Sequence, residues 1–147
     1  MAIKTSLQIK GTKAVAQALG EIDKKTNGLI DEITLVNAQE LATAAKRRAP
    51  IDTGTLRQSI AVTRLGPRRY SVGTNVFYAA YQEFGTGRYA ASTVPSLPRS
   101  WQTLARKYKG RGLRKVNVPQ NLYLYYAFVA QAKIYLDDLE DAIRKAI

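Results

Sequence analysis

From Thr12 to Ala49 apolar residues return at three- and four-residue steps: Val15, Leu19, Ile22, Leu29, Ile33 and Val36, with Leu41 and Ala45 extending roughly the same stripe. That spacing predicts one helix, about 55 Å long at 1.5 Å per residue. Thr12 can cap its start by accepting a backbone N–H. Pro50 ends it, because the residue before a proline avoids helical geometry. Gly20 and Gly28 weaken it, so a kink or break is expected near either. A helix this long overshoots a small core, and such helices often pack between subunits.

The rest of the chain fits around that rod. Ile3, Thr5, Leu7 and Ile9 suggest a short half-buried strand, closed by Gly11. Ile60 to Leu65 and Tyr70 to Thr74 flank Gly66-Pro67-Arg68-Arg69, which reads as a β-hairpin. Asn75 is placed to cap a short helix carrying Phe77, Tyr81 and Phe84 on one face, and Gly85 stops it. Residues 86–119 read as a basic, irregular loop, with a short helix around Ser100 to Tyr108 and a strand from Leu113 to Val118 as its only candidates for order. Leu122, Tyr125, Val129, Ala132, Leu136, Leu139, Ile143 and Ala146 define an amphipathic helix from about Gln120 to the end. The expected fold is one α+β domain over residues 1–147, with a small, mostly antiparallel sheet packed against a long N-terminal helix and a C-terminal helix.

Missing residue types exclude much chemistry. The chain has no cysteine and no histidine. Disulfides, thiolate nucleophiles, Ser-His and Cys-His catalysis are therefore impossible, and a zinc site is not expected. No cofactor and no metal is expected, and no catalytic residue is assigned. No run reaches the twenty or so apolar residues that span a bilayer, and the N-terminus lacks a signal-peptide core, so the expectation is an intracellular, soluble chain without a membrane partner. Lys and Arg number 23 against 11 acidic residues, a net +12. Such an excess favours a polyanion or an acidic protein surface as partner.

Asp52-Thr53-Gly54 is also the triplet of aspartic proteases, which pair two such carboxylates across a dimer. There the triplet follows a buried apolar strand; here Lys46-Arg47-Arg48-Ala49-Pro50 precede it. The local reading is a cap, in which Asp52 accepts N–H bonds from Gly54 or Thr55 while Leu56 and Ile60 turn into the core. Glu83, among Tyr81, Phe84 and Gly85, is a lone carboxylate for which an ion pair with Arg57 or Arg88 is expected rather than catalysis. Gly85-Thr86-Gly87-Arg88 lacks the Gly-Lys-Ser/Thr ending of a phosphate loop.

Arg99, Arg106, Lys107, Lys109, Arg111, Arg114 and Lys115 form a stretch without acidic residues, interleaved with Trp101 and Tyr108. Cations for phosphates and rings for stacking make it the best candidate surface for nucleic acid, insensitive to sequence, or for an acidic neighbour. Tyr123, Tyr125, Tyr126 and Phe128 suggest core or subunit interface. Asp137-Asp138-Glu140-Asp141 reads as a solvated face able to meet a basic surface on another subunit.

Two blocks carry a more specific signal. Pro50-Ile51-Asp52-Thr53-Gly54-Thr55-Leu56-Arg57-Gln58-Ser59-Ile60 is followed by Val72-Gly73-Thr74-Asn75-Val76-Phe77-Tyr78-Ala79-Ala80-Tyr81-Gln82-Glu83-Phe84-Gly85-Thr86-Gly87. Together they resemble the tail-completion, or head-tail connector, proteins of long-tailed, lambda-like bacteriophages. In the family's terms Asp52, Thr53, Gly54, Leu56 and Arg57 form a turn motif, and Tyr78, Tyr81, Glu83, Phe84 and Gly85 a helix-end motif. Near Pro119-Gln120-Asn121-Leu122 the chain departs from the family's proline-rich pattern, lacking its second proline and its arginine.

The resemblance implies a structural virion protein of the neck or upper tail, assembled in the host cytoplasm and performing no chemistry. Its implied partners are copies of itself in a ring of six, a head-completion or connector protein, and a tail terminator or tail tube protein. Genomic DNA would pass through the lumen. The alternative is a standalone, sequence-nonspecific nucleic-acid-binding protein.

Overall fold

The computed structural model describes residues 12–51, 54–108 and 117–146, with the side chains at 12–15 and 107–108 also outside the description. The predicted strand over residues 3–9 lies outside these residues. Helix α1 spans Thr12–Arg48 and α2 spans Thr55–Ser59; strands β1 (Ala61–Gly66) and β2 (Arg69–Gly73) follow. Next come α3 (Ala79–Phe84), α4 (Arg88–Thr93), a 3-10 turn at Val94–Ser96, α5 (Arg99–Tyr108) and α6 (Tyr123–Ala146). The architecture is α+β: a two-stranded antiparallel sheet lies against the long N-terminal helix, which also packs against the C-terminal one.

Three expectations change. Helix α1 runs through Gly20 and Gly28 without a break; no side chain or foreign backbone lies within 4 Å of where either Cβ would stand. The segment 86–119 is not an irregular loop over its described residues, since α4, the 3-10 turn and α5 occupy most of it. Local hydrogen bonds supply that order: Gln102 Nε2 donates to the Leu97 carbonyl at 2.7 Å, holding the first turn of α5. The candidate strand ending at Val118 falls largely outside the described residues, and Asn117 and Val118 are not in a strand. Asn75 caps nothing: α3 starts at Ala79, and Phe77 is 84% exposed rather than on its buried face.

The seam between α1 and α6 is made of small residues. Ala38, Ala42 and Ala45 of α1 and Ala49 just past its end are buried, and Ala127 and Ala142 of α6 likewise. Methyl groups at these four- and three-residue steps let two helices lie close together. The predicted stripes are only partly buried: Ala45 and Leu122 are in the core and Leu41 packs on it, whereas Leu19, Ile22 and Val36 on α1, and Val129, Leu136 and Ile143 on α6, are exposed.

Buried polar groups fix the register. Asn37 Nδ2 donates to the Ile33 carbonyl at 3.0 Å and to Asp138 Oδ2 at 2.9 Å. Gln131 Nε2 donates to Asn37 Oδ1 at 2.7 Å and Glu40 Oε2 at 2.8 Å. The Thr34 and Tyr135 hydroxyls sit 2.9 Å apart. Sliding one helix by a turn would strip partners from these largely buried amides, at about 1–3 kcal/mol per group.

The hairpin docks through Asp31 of α1. Its carboxylate accepts the Arg68 backbone N–H at 2.7 Å, Arg64 Nη2 at 3.1 Å and the Tyr70 hydroxyl at 3.2 Å. Val62 faces Val72 across the ladder, and both pack on the core formed by Leu56, Ile60, Tyr123 and the alanine seam. A second cluster of Phe84, Val94, Leu97, Ala105 and Leu122 sits under α5, with Trp101 packed against it.

Because Ala45 is fully buried in the first core cluster, Ala45→Leu must overpack it. Urea unfolding is expected to show a loss of about 1–3 kcal/mol, whereas Ala16→Leu on the exposed stretch should change stability by less than about 0.5 kcal/mol.

Candidate functional site

The first motif block closes α1. Gly54 adopts φ +79°, a left-handed conformation that suits glycine, and its carbonyl accepts the Gln58 N–H at 2.9 Å. Leu56 and Ile60 are buried, as expected. Arg57 Nη2 donates to the Ala49 carbonyl at 3.0 Å, satisfying an oxygen that the end of α1 leaves open. Its Nε is buried without a hydrogen-bond partner among the described residues. Asp52 and Thr53, for which the cap was expected, lie outside the described residues. Ser59 and Thr74 tie this turn to the end of the hairpin, their hydroxyls 2.5 Å apart.

The second block is a clamp on the chain entering α6. Glu83 is 3% exposed, and its Oε2 and Oε1 accept the Leu124 and Tyr125 N–H groups at 2.9 and 2.8 Å. Among the described residues of one copy no arginine pairs with it, so the expected ion pair with Arg57 or Arg88 is not formed within the chain. The reason is geometric: α3 places the carboxylate at the N-terminus of α6, where unpaired N–H groups and the helix dipole supply the positive end. Burial pushes the Glu83 carboxyl up to about 7, against the downward pull of the Leu124, Tyr125 and Tyr123 N–H groups. Burial, then the charges of Glu83 and Tyr78, also raises the Tyr123 phenol.

Gly85 completes the clamp at φ +75°. A Cβ there would stand 2.9 Å from the Val118 carbonyl oxygen and 3.0 Å from the Gln120 nitrogen. Thr86, fully buried, donates its N–H to the Val118 oxygen at 3.0 Å while its Oγ1 accepts the Val118 N–H at 2.8 Å. The Asn121 N–H donates to the Gln82 carbonyl at 2.8 Å, and Asn121 Nδ2 to the Arg48 carbonyl at 3.2 Å. Asn121 thus joins the end of α1 to the start of α6. The sequence analysis gave Thr86 and Asn121 no role, because their bonds, Thr86 to Val118 and Asn121 to Gln82, link positions more than thirty residues apart. Tyr78 packs on the first core cluster and Phe84 belongs to the second; Tyr81 is half-buried, its carbonyl accepting the Gly85 N–H at 2.9 Å.

The basic stretch divides differently. Arg99 and Arg106 are exposed on α5, seven residues apart and so on one face. Arg106 Nη2 donates to Gln102 Oε1 at 3.2 Å. The Lys107 side chain and all of Lys109, Arg111, Arg114 and Lys115 lie outside the described residues. Trp101 is not free to stack on a base: its ring packs edge-on against Phe84 and Tyr125, at centroid distances of 6.3 and 5.1 Å. Among the described residues no group of histidine, cysteine or carboxylate side chains could hold a metal ion, and no helix is long and apolar enough to cross a membrane.

Residues 13–85 match the family model described as "Bacteriophage HK97-gp10, putative tail-component". This stretch belongs to a phage tail-component family. The match takes in α1, the Arg57 turn, the hairpin and the Glu83 carboxylate, and it ends at the glycine against which the chain entering α6 packs. No curated protein and no solved structure matches the chain.

Two consequences are measurable. Gly85→Ala forces a Cβ onto the 118–120 backbone at a positive φ, with an expected cost of at least about 1–3 kcal/mol in chemical denaturation. The folded-state pKa of Glu83 lies above its ordinary value of 4.5, so the folded state holds the extra proton between pH 4.5 and about 7. The Glu83 contribution to stability is therefore full below pH 4.5 and is lost as pH rises through about 7. A melting-temperature series over that window should fall with pH, and Glu83→Gln should flatten that part of the slope.

Proposed function

We propose that this protein is a structural component of the phage neck or upper tail, forming a ring that joins the head connector to the tail tube around the path of the DNA. The carrying observation is the family match over residues 13–85, in which both motif blocks are spent on backbone architecture. Glu83 is engaged by α6 N–H groups, and Arg57 by the end of α1. Chains of this construction work by shape. We assign no catalytic step, no cofactor and no metal.

Exposed apolar residues support self-association. Leu19 and Ile22 on α1, and Val129, Leu136 and Ile143 on α6, leave large apolar surfaces uncovered in a single copy. Heterologous contacts closed by rotation give rings, and six copies is the number proposed. The other partners are a head-completion or connector protein on one face and a tail terminator or tube protein on the other, in a virion assembled in the host cytoplasm. A net charge of +12 per copy, repeated around a ring, would concentrate positive potential near the genome.

Standalone binding of nucleic acid is the second reading, favoured by the exposed Arg99 and Arg106 on one face of α5. Native mass spectrometry of purified necks is expected to count six copies of this chain. A neck lacking it, or a monomer binding duplex DNA tightly with a steep salt slope, would overturn the ring in favour of the second reading.

A further inference from the structure

We propose that neighbouring copies join by seating the N-terminal arm of α1 from one copy in a groove of the next, between α1, β2, α5 and α6. The inference rests on the ring reading and names its contact. Every residue from 16 to 25 is exposed, so about 15 Å of helix is left uncovered by the core of its own chain. A helical stretch of that length is marginal in water by itself. Leu19 is 60% exposed and shares a face with the exposed Ile22, an apolar pair at helical spacing.

The groove is the complementary feature. It encloses about 590 Å³ and is lined by Leu41, Val72, Trp101, Phe128 and Leu136, with Tyr70 among its walls. Leu136, 65% exposed, stands at its mouth. The arm cannot fold back into this groove, because α1 is one continuous helix whose later residues, Thr34 to Leu41, form a wall of it. A second copy can reach it.

Local charge complements this occupant where its lysines meet the acidic end of the groove. Asp137 and Asp141 follow Leu136 on α6, both exposed and without an ion pair among the described residues. Lys24 and Lys25 follow Ile22 within one turn of the arm. Glu21 and Asp23 leave the arm neutral as a whole, so the apolar pair supplies affinity and the lysines set its direction in the groove. The contact is heterologous: arm and groove are different surfaces, each copy offers both, and repetition closes a ring.

The chain has no cysteine, which makes a disulfide test clean. The double variant Leu19→Cys, Leu136→Cys, oxidised with copper–phenanthroline, is expected to give a covalent ladder up to the full ring on a denaturing gel. Each single variant should stay uncrosslinked. Leu19→Asp with Ile22→Asp, its helicity checked by circular dichroism, should raise the dissociation constant of the oligomer at least about tenfold. Dimers from either single variant would replace this contact with a two-fold one. A wild-type oligomer in sedimentation whose double variant forms no ladder would overturn the arm-in-groove contact and leave the ring. A wild type monomeric at every concentration would overturn the ring, and the contact with it.

Discussion

The carboxylate of Glu83 on the first N–H groups of α6 is the interaction on which the rest of the molecule depends. Helix α6 covers the alanine face of α1, and its position is set where it begins. At that point a buried acid on α3 takes two N–H groups, Gly85 gives room for the incoming backbone, and Thr86 pairs with it on both sides. Without that anchor the incoming chain and the helix behind it have no fixed start. A buried carboxylate is costly to hold ionised, which is why its pKa rises in spite of its donors. The site trades some stability near neutral pH for a definite geometry.

From that start, small residues decide the outside of the molecule. A seam of methyl groups brings α1 and α6 close, and the register is fixed by Asn37 and Gln131 rather than by interlocking large side chains. Bulky apolar residues elsewhere on the two helices, such as Val36, Val129 and Leu136, then face outward. Their exposure is a direct result of the packing chosen inside, and it gives a single copy the character of a part made to be joined to others.

Much of this was legible in the sequence, and the limits have physical causes. Periodicity located α1, α6 and the hairpin, since three- and four-residue steps and a Gly-Pro turn are local signals. It placed Ala45, Leu41 and Leu122 correctly but also gave the core Leu19 and Leu136 and passed over Ala42 and Ala127, because hydrophobicity ranks leucine above alanine, whereas close helix packing favours the smaller residue. The importance of Glu83 was visible from its apolar neighbours, but an arginine was the expected partner. Its true partner is the end of a helix some forty positions away, which no charge count reveals. Helix α4 was hidden among the glycines and prolines of its neighbourhood, and Trp101, placed among cations, turned inward to meet Phe84 and Tyr125.

Asp31 has a mechanical consequence. By gripping the hairpin tip at Arg68 and its flank at Arg64 and Tyr70, it fastens the sheet partway along the rod rather than at its end. The exposed half of α1 is then a lever whose fulcrum carries the hairpin. The hairpin is thus fastened some 20 Å behind the first exposed residues of the rod, at about 1.5 Å per residue, and the tip overhangs it.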